Sequence, residues 1–93
     1  MLEKEVENYL KNEVKKAGGM AMKFVSPGLR GVPDRIVIFP GGKIIFVELK
    51  APGEKPRKQQ AHRITQMVCL GATVKIIDSK EGVNELMEEV VPK

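Results

Sequence analysis

The sequence predicts an α/β fold with its elements in the order α-β-β-β-α-β-α. Three observations predict it. Apolar residues recur at helical spacing in the first and last segments, β-branched runs of strand length fill the middle, and Gly and Pro clusters separate them. From Leu2 to Ala17, Val6, Leu10, Val14 and Ala17 follow one another at steps of four, four and three, a single helical stripe that Gly18 and Gly19 end. Met20 to Val25 is short and apolar with a strand-like tail, and Ser26 to Pro33 holds too many helix and strand breakers to be anything but a loop. Arg35 to Phe39 is a β-branched strand, Pro40, Gly41 and Gly42 make a hairpin-type turn, and Lys43 to Lys50 is a second strand. These two strands are expected to pair antiparallel. Ala51 to Pro56 is a loop, and Arg57 to Leu70 is a helix with Pro56 near its first turn and Gly71 past its end. Ala72 to Ile77 is the last strand. Glu81 to Val91 closes the chain as a helix with Val83, Leu86, Met87 and Val90 apolar.

Size and composition narrow the function. Ninety-three residues suit one small domain, expected to span 1–93 and to share one core. No apolar run reaches the length of a membrane span and no secretory leader is evident, so the chain is expected to be soluble, unprocessed and cytoplasmic. The lone Cys69 has neither a disulfide partner nor a zinc-ligand neighbour at the right spacing, and is expected in the core. The five Met are scattered and read as packing. Aromatic residues make up only 4%, too few for a base-stacking platform, and neither Gly-Gly pair sits in a phosphate-binding motif, which argues against a nucleotide cofactor.

Charge is distributed unevenly. The net +4 alone is modest, but between Met20 and Arg63 nine bases face three acids, Asp34, Glu48 and Glu54. A basic stretch with isolated carboxylates suits a polyanion held beside a metal.

Those carboxylates have a definite placement. Glu48 and Lys50 are two apart in a strand and point to one face, opposite Val47 and Leu49. Ile44 and Phe46 share that face, so the strand begins apolar and ends in a charged pair. A hairpin brings its far ends together, which sets Asp34 across from the Glu48 end. Taken alone, Glu48 and Lys50 fit an ion pair on an edge strand, and Asp34 fits a turn cap. The conjunction of a Gly-x-Pro-Asp turn, a hairpin and Glu-x-Lys at its far end favours a site. Two close carboxylates repel, and a divalent cation relieves the repulsion; Mg²⁺ needs one or two carboxylates and takes the rest of its ligands from water, carbonyl or phosphate.

Gln60 stands four before Ile64 and seven before Met67, on the apolar side of its helix, whereas Gln59 aligns with Arg63 and Gln66. On the first helix Glu3 lies three before Val6 and seven before Leu10; Glu7 shares part of that face and Glu5 points away. His62, the one histidine, has no Ser, Cys or Asp partner for a triad and reads as a surface or phosphate contact.

Gly31, Val32, Pro33 and Asp34, then Glu48, Leu49 and Lys50, then Gln60, behind a helix bearing Glu3, together resemble a stand-alone VRR-NUC domain of the PD-(D/E)XK nuclease superfamily. The segments Lys23 to Arg35 and Phe46 to Gly53 look like its phage and bacterial forms, and the likeness runs through nearly the whole chain. The resemblance implies a restriction-endonuclease-like αβββαβ core, a mixed central sheet flanked by helices. It implies metal-dependent hydrolysis of phosphodiesters, with Asp34, Glu48 and the backbone carbonyl of Leu49 holding Mg²⁺ or Mn²⁺ and Glu3 contributing through water. Lys50 would orient or help deprotonate the attacking water, and Gln60 would fix the geometry. Gln59 stands beside Gln60, and Glu5 and Glu7 beside Glu3, as alternatives. Small members are similar to Holliday-junction resolvases, so the expected partners are a four-way DNA junction and a second copy of the chain. Arg30, Arg35, Lys55, Arg57, Lys58, His62 and Arg63 are the candidate contacts to the DNA backbone. Two other readings stay open: a non-catalytic basic DNA-binding or dimerisation module on the same fold, and a nicking nuclease acting on linear or flapped DNA. A pure binding module has no reason to turn two carboxylates toward an anion, so the catalytic reading is preferred.

Overall fold

The computed structural model describes residues 2–90, and its elements follow the expected order. They are α1 (Glu3–Lys16), β1 (Met20–Lys23), β2 (Arg35–Phe39), β3 (Lys43–Leu49), α2 (Lys58–Cys69), β4 (Val74–Ile77) and α3 (Lys80–Val90). Boundaries shift by a few residues. The first strand occupies Met20–Lys23, at the start of its segment instead of the tail, and α3 begins at Lys80; Val91, expected to end it, lies outside the described residues. No helix among the described residues is long and apolar enough to cross a membrane.

The strands form one mixed sheet in the order β1-β2-β3-β4. β2 and β3 pair antiparallel with Arg35 opposite Val47 and Phe39 opposite Lys43. The turn between them has Pro40 and Gly41 at its centre, with Gly41 at φ 92° and the Gly42 N–H donating to the Phe39 carbonyl at 3.0 Å; this is the chemistry of a type II turn. β3 and β4 run parallel, which requires a crossover, and α2 supplies it.

Burial is one-sided. Val37, Phe39, Ile45, Val47, Leu49 and Ile77 point to one face of the sheet and are buried beneath Val6, Leu10 and Val14 of α1 and Val83 and Leu86 of α3. The predicted stripe of α1 is therefore the stripe that packs. On the opposite face α2 has no buried residue of its own. Two expectations fail on this side of the molecule. Met20 and Met22 are exposed and not packed, because among the described residues α2 alone covers that face and covers part of it. Cys69 is exposed and not in the core because it lies half a turn round α2 from Gln60, on the side of the helix turned away from the sheet.

Candidate active site

The site forms where the hairpin's open end meets the N-terminus of α2. Asp34 directly precedes β2, and Glu48 lies near the end of β3. The Asp34 N–H donates to Glu48 Oε1 at 3.2 Å, and Asp34 Oδ1 accepts the Leu49 N–H at 3.1 Å. These reciprocal bonds continue the β2–β3 ladder with side chains where strand pairing stops, so both carboxylates are held by backbone. The convergence expected from hairpin geometry is present.

Gln60 ties the end of β3 to α2. Its Nε2 donates to Glu48 Oε2 at 2.9 Å, and its Oε1 accepts from Lys50 Nζ and from the Arg57 N–H, each at 2.9 Å. The last bond satisfies one of the unpaired N–H groups around the helix start, so Gln60 serves helix and site together. Lys50 Nζ also lies 3.2 Å from Glu48 Oε2. Of the paired alternatives, Gln60 is the one in the site; Gln59 is exposed and lines the adjacent cleft.

Electrostatics follow from burial. Glu48 is 2% exposed, and its carboxyl is pushed above the usual carboxylate range by loss of solvent and then by the charge of Asp34, partly offset by Lys50. Asp34 is raised as well, chiefly by burial; the Leu49 N–H bond and the neighbouring Arg35 charge pull it back. Both carboxylates thus lack a full set of compensating positive charges.

That donor set fits a hard divalent cation. Glu48 uses three of the roughly four lone-pair sites of a carboxylate, and Asp34 uses one, leaving oxygen acceptors free on both. No group of three or more His, Cys, Asp or Glu converges among the described residues. Mg²⁺ or Mn²⁺ needs no such group, because it accepts water and carbonyl oxygen for its remaining positions.

Asp34 opens into a cavity of about 270 Å³ lined by Glu3, Glu7, Lys23, Phe24, Val25 and Arg35. Glu3 thus shares a cavity with Asp34, as a water-mediated role requires. Glu5 instead reaches back, accepting the Leu2 N–H at 3.2 Å. On the other side of the Ser26–Pro33 loop, a second cleft of about 440 Å³ is lined by Arg30, Arg57, Gln59 and Gln60 among others.

Two of the seven expected DNA contacts are placed otherwise. Arg35 is 5% exposed and its guanidinium is bound to Glu7 of α1. It begins a strand whose odd positions face α1, so it supports Asp34 from below and does not reach a phosphate. Arg63 donates through Nε to the Arg30 carbonyl at 2.9 Å and through Nη1 to Gln66 at 2.6 Å, bracing the loop. Arg30, Lys55, Arg57, Lys58 and His62 are exposed. Sequence reading missed the Glu7–Arg35 pair because its members are far apart in the chain and meet only through packing. Lys23 was counted among the bases but not as a site residue; its place beside Asp34 follows from the β1–β2 register, Lys23 opposite Arg35.

No family model matches the chain. A solved structure described as "VRR_NUC domain" superposes with a TM-score of 0.87 at 34% identity, covering 95% of this chain and 96% of that one. The protein named "Putative nuclease p44" from Acyrthosiphon pisum secondary endosymbiont phage 1 is 54% identical over 79 residues, 85% of each chain. This chain belongs to the VRR-NUC family. Its mixed four-stranded sheet with flanking helices is the PD-(D/E)XK-like nuclease fold. In VRR-NUC terms the Gly31–Asp34 turn and the Glu48–Lys50 strand end meet at one point, with Gln60 of α2 bonded to both charged members of the strand.

Proposed function

We propose that this VRR-NUC chain is a metal-dependent DNA endonuclease that works as a homodimer on branched DNA, a four-way junction above all. The observation that carries the reading is the bonded cluster of Asp34, Glu48, Lys50 and Gln60. The resemblance supports the same residues in order, and the relative's printed name points to nuclease chemistry.

Asp34, Glu48 and the Leu49 carbonyl would hold Mg²⁺ or Mn²⁺, with Glu3 contributing through water. Such a cation, when bound, would supply polarisation of a phosphate oxygen and a more acidic water. The chain's own groups do the rest. Lys50, held by Gln60 and Glu48, points an ammonium at the place where a phosphodiester accumulates negative charge, and it orients the attacking water. Gln60 keeps Lys50 and Glu48 in register by bonding both. Arg30 and Arg57 on the neighbouring cleft, with Lys55, Lys58 and His62, grip the sugar–phosphate backbone without reading sequence. A dimer would present two such sites to a roughly two-fold junction, one per strand.

The test is cleavage of a labelled four-way junction beside a matched linear duplex, a flap and a single strand, with Mg²⁺, Mn²⁺ or EDTA. Paired nicks confined to the junction, absent in EDTA and lost in Asp34→Ala and Lys50→Ala, are the expected result. Cuts on flap or linear DNA instead would replace the junction substrate while keeping the site. Tight binding with no cuts on any substrate would overturn catalysis.

A further inference from the structure

Helix α1 sorts its charges by side. Residues 1–19 hold four Lys and four Glu and are neutral as a stretch. At about 100° per residue, however, Lys4, Lys11 and Lys15 share one sector of about 40°. All three are exposed, and none is in an ion pair among the described residues. The glutamates are engaged elsewhere: Glu7 holds Arg35, Glu13 holds Lys16, Glu5 accepts the Leu2 N–H and Glu3 lines the Asp34 cavity. Lys11 and Lys15, with Asn12, Gly19, Met20 and Ala21, line a groove of about 400 Å³ between α1 and β1, and no carboxylate lines it. β1 is an outer strand of the sheet. Just past it the Phe24 N–H donates inward to the Asp34 carbonyl at 2.9 Å, so by antiparallel alternation the N–H groups of Ala21 and Lys23 point to the free edge. Lys23 lines the Asp34 cavity, so basic side chains and edge N–H groups run from the groove to the site.

We propose that the seam between α1 and β1 is a track for the sugar–phosphate backbone of DNA, carrying the cut strand away from Asp34 past Lys23 to Lys11 and Lys15. It rests on the nuclease reading for the position of the cut, and on α1 and β1 themselves for the track. Lysine ammonium groups and edge-strand N–H groups are both donors that suit phosphate oxygens and read no base. The chain turns back at Gly18 and Gly19, so the groove lies at the far end of the seam from the site. Twelve residues of α1 separate Lys15 from Glu3, about 18 Å at 1.5 Å per residue, the rise of on the order of five nucleotides of a duplex strand. Arg30 and Arg57 line the cleft on the other side of the Ser26–Pro33 loop. Basic groups thus flank the site from two directions, and a strand gripped by both is drawn across Asp34 and Glu48, which fixes the scissile phosphate where the chemistry occurs. Lys4 belongs to the same sector at the site end of the helix and adds to the field there.

Fluorescence anisotropy of a labelled four-way junction in Mg²⁺, from about 50 to 200 mM salt, tests it in a Lys50→Ala parent that suppresses cutting. Lys11→Gln/Lys15→Gln is compared with Lys16→Gln/Lys75→Gln, which removes the same charge from two lysines already paired with glutamate. Circular dichroism verifies that both fold. The expected result is a salt slope lower by about two and an affinity lower by about tenfold for Lys11→Gln/Lys15→Gln, with the slope of the control unchanged. A second arm alters the DNA: uncharged methylphosphonate linkages about three to five nucleotides from the cut should weaken the parent equally and weaken Lys11→Gln/Lys15→Gln no further. An unchanged slope, or equal losses in the two double variants, overturns the track while leaving the nuclease reading in place. A slope that falls as expected on DNA that the wild type never cuts keeps the track and overturns the nuclease reading. A wild type that binds none of the DNA overturns both.

Discussion

At the scale of the residue, Asp34 and Glu48 hold each other in place through backbone bonds while each raises the cost of the other's charge. Because both carboxyls are raised, the folded chain binds protons more readily than the unfolded chain. Their contribution to stability is therefore complete below the ordinary carboxylate pKa and is lost as pH rises through the raised folded values. In metal-free buffer, Asp34→Asn should remove part of that loss, because asparagine keeps an acceptor for the Leu49 N–H without the charge. Urea unfolding between about pH 4 and 7 checks this: the variant's stability should fall less steeply with pH than the wild type's. Activity should move the other way. Asp34→Ala and Lys50→Ala are each expected to lower kcat at least about a thousandfold, whereas Gln60→Ala, which touches the site through Glu48 and Lys50, should cost about ten- to a hundredfold. Single-turnover cleavage separates the two classes.

At the scale of the element, the Ser26–Pro33 loop is held by two contacts with α2. Gly31 has φ 82°, and a Cβ there would meet the Gln59 carbonyl oxygen at 2.8 Å, so the loop lies against the first turn of α2 only because the residue is glycine. Gly31→Ala should cost about 1–3 kcal/mol and push Gln60 out of line, lowering kcat as well as stability. Arg63 clasps the Arg30 carbonyl from the next turn of α2. Arg63→Gln should leave the fold intact, loosen the loop and raise KM more than it lowers kcat; hydrogen exchange at the amides of residues 28–32 reports the loosening directly. The hairpin itself was legible because β-branched runs and a Pro-Gly-Gly turn are local signals. The roles of Arg35 and Arg63 were not, since a basic residue reads alike whether it faces phosphate, a carboxylate on another helix or a loop carbonyl.

At the scale of the whole molecule, stability sits on one side of the sheet. Leu10, Val37 and Val47 are fully buried between α1, α3 and the sheet. Leu10→Ala should cost about 2–5 kcal/mol by urea unfolding, the usual range for a cavity in a closed core. Metal should act on the same equilibrium from the other face. If Asp34 and Glu48 bind Mg²⁺, a cation concentration a hundredfold above its Kd adds about 2.7 kcal/mol, and Asp34→Asn abolishes the gain. Thermal unfolding with and without Mg²⁺ measures both.

The sequence alone determined the element order, the hairpin that joins Asp34 to Glu48, the strand parity that puts Glu48 and Lys50 on one face, and the resemblance of those motifs to VRR-NUC domains. Each of these depends on spacing along the chain, and spacing is what a sequence records. Tertiary structure alone decided which bases face solvent, which glutamine bridges the site, that Met20 and Met22 stand on a face left half open, and that Cys69 faces outward from α2. Those outcomes depend on which helix covers which side of the sheet, and a periodic apolar pattern is the same whether its partner is the chain's own core or another surface.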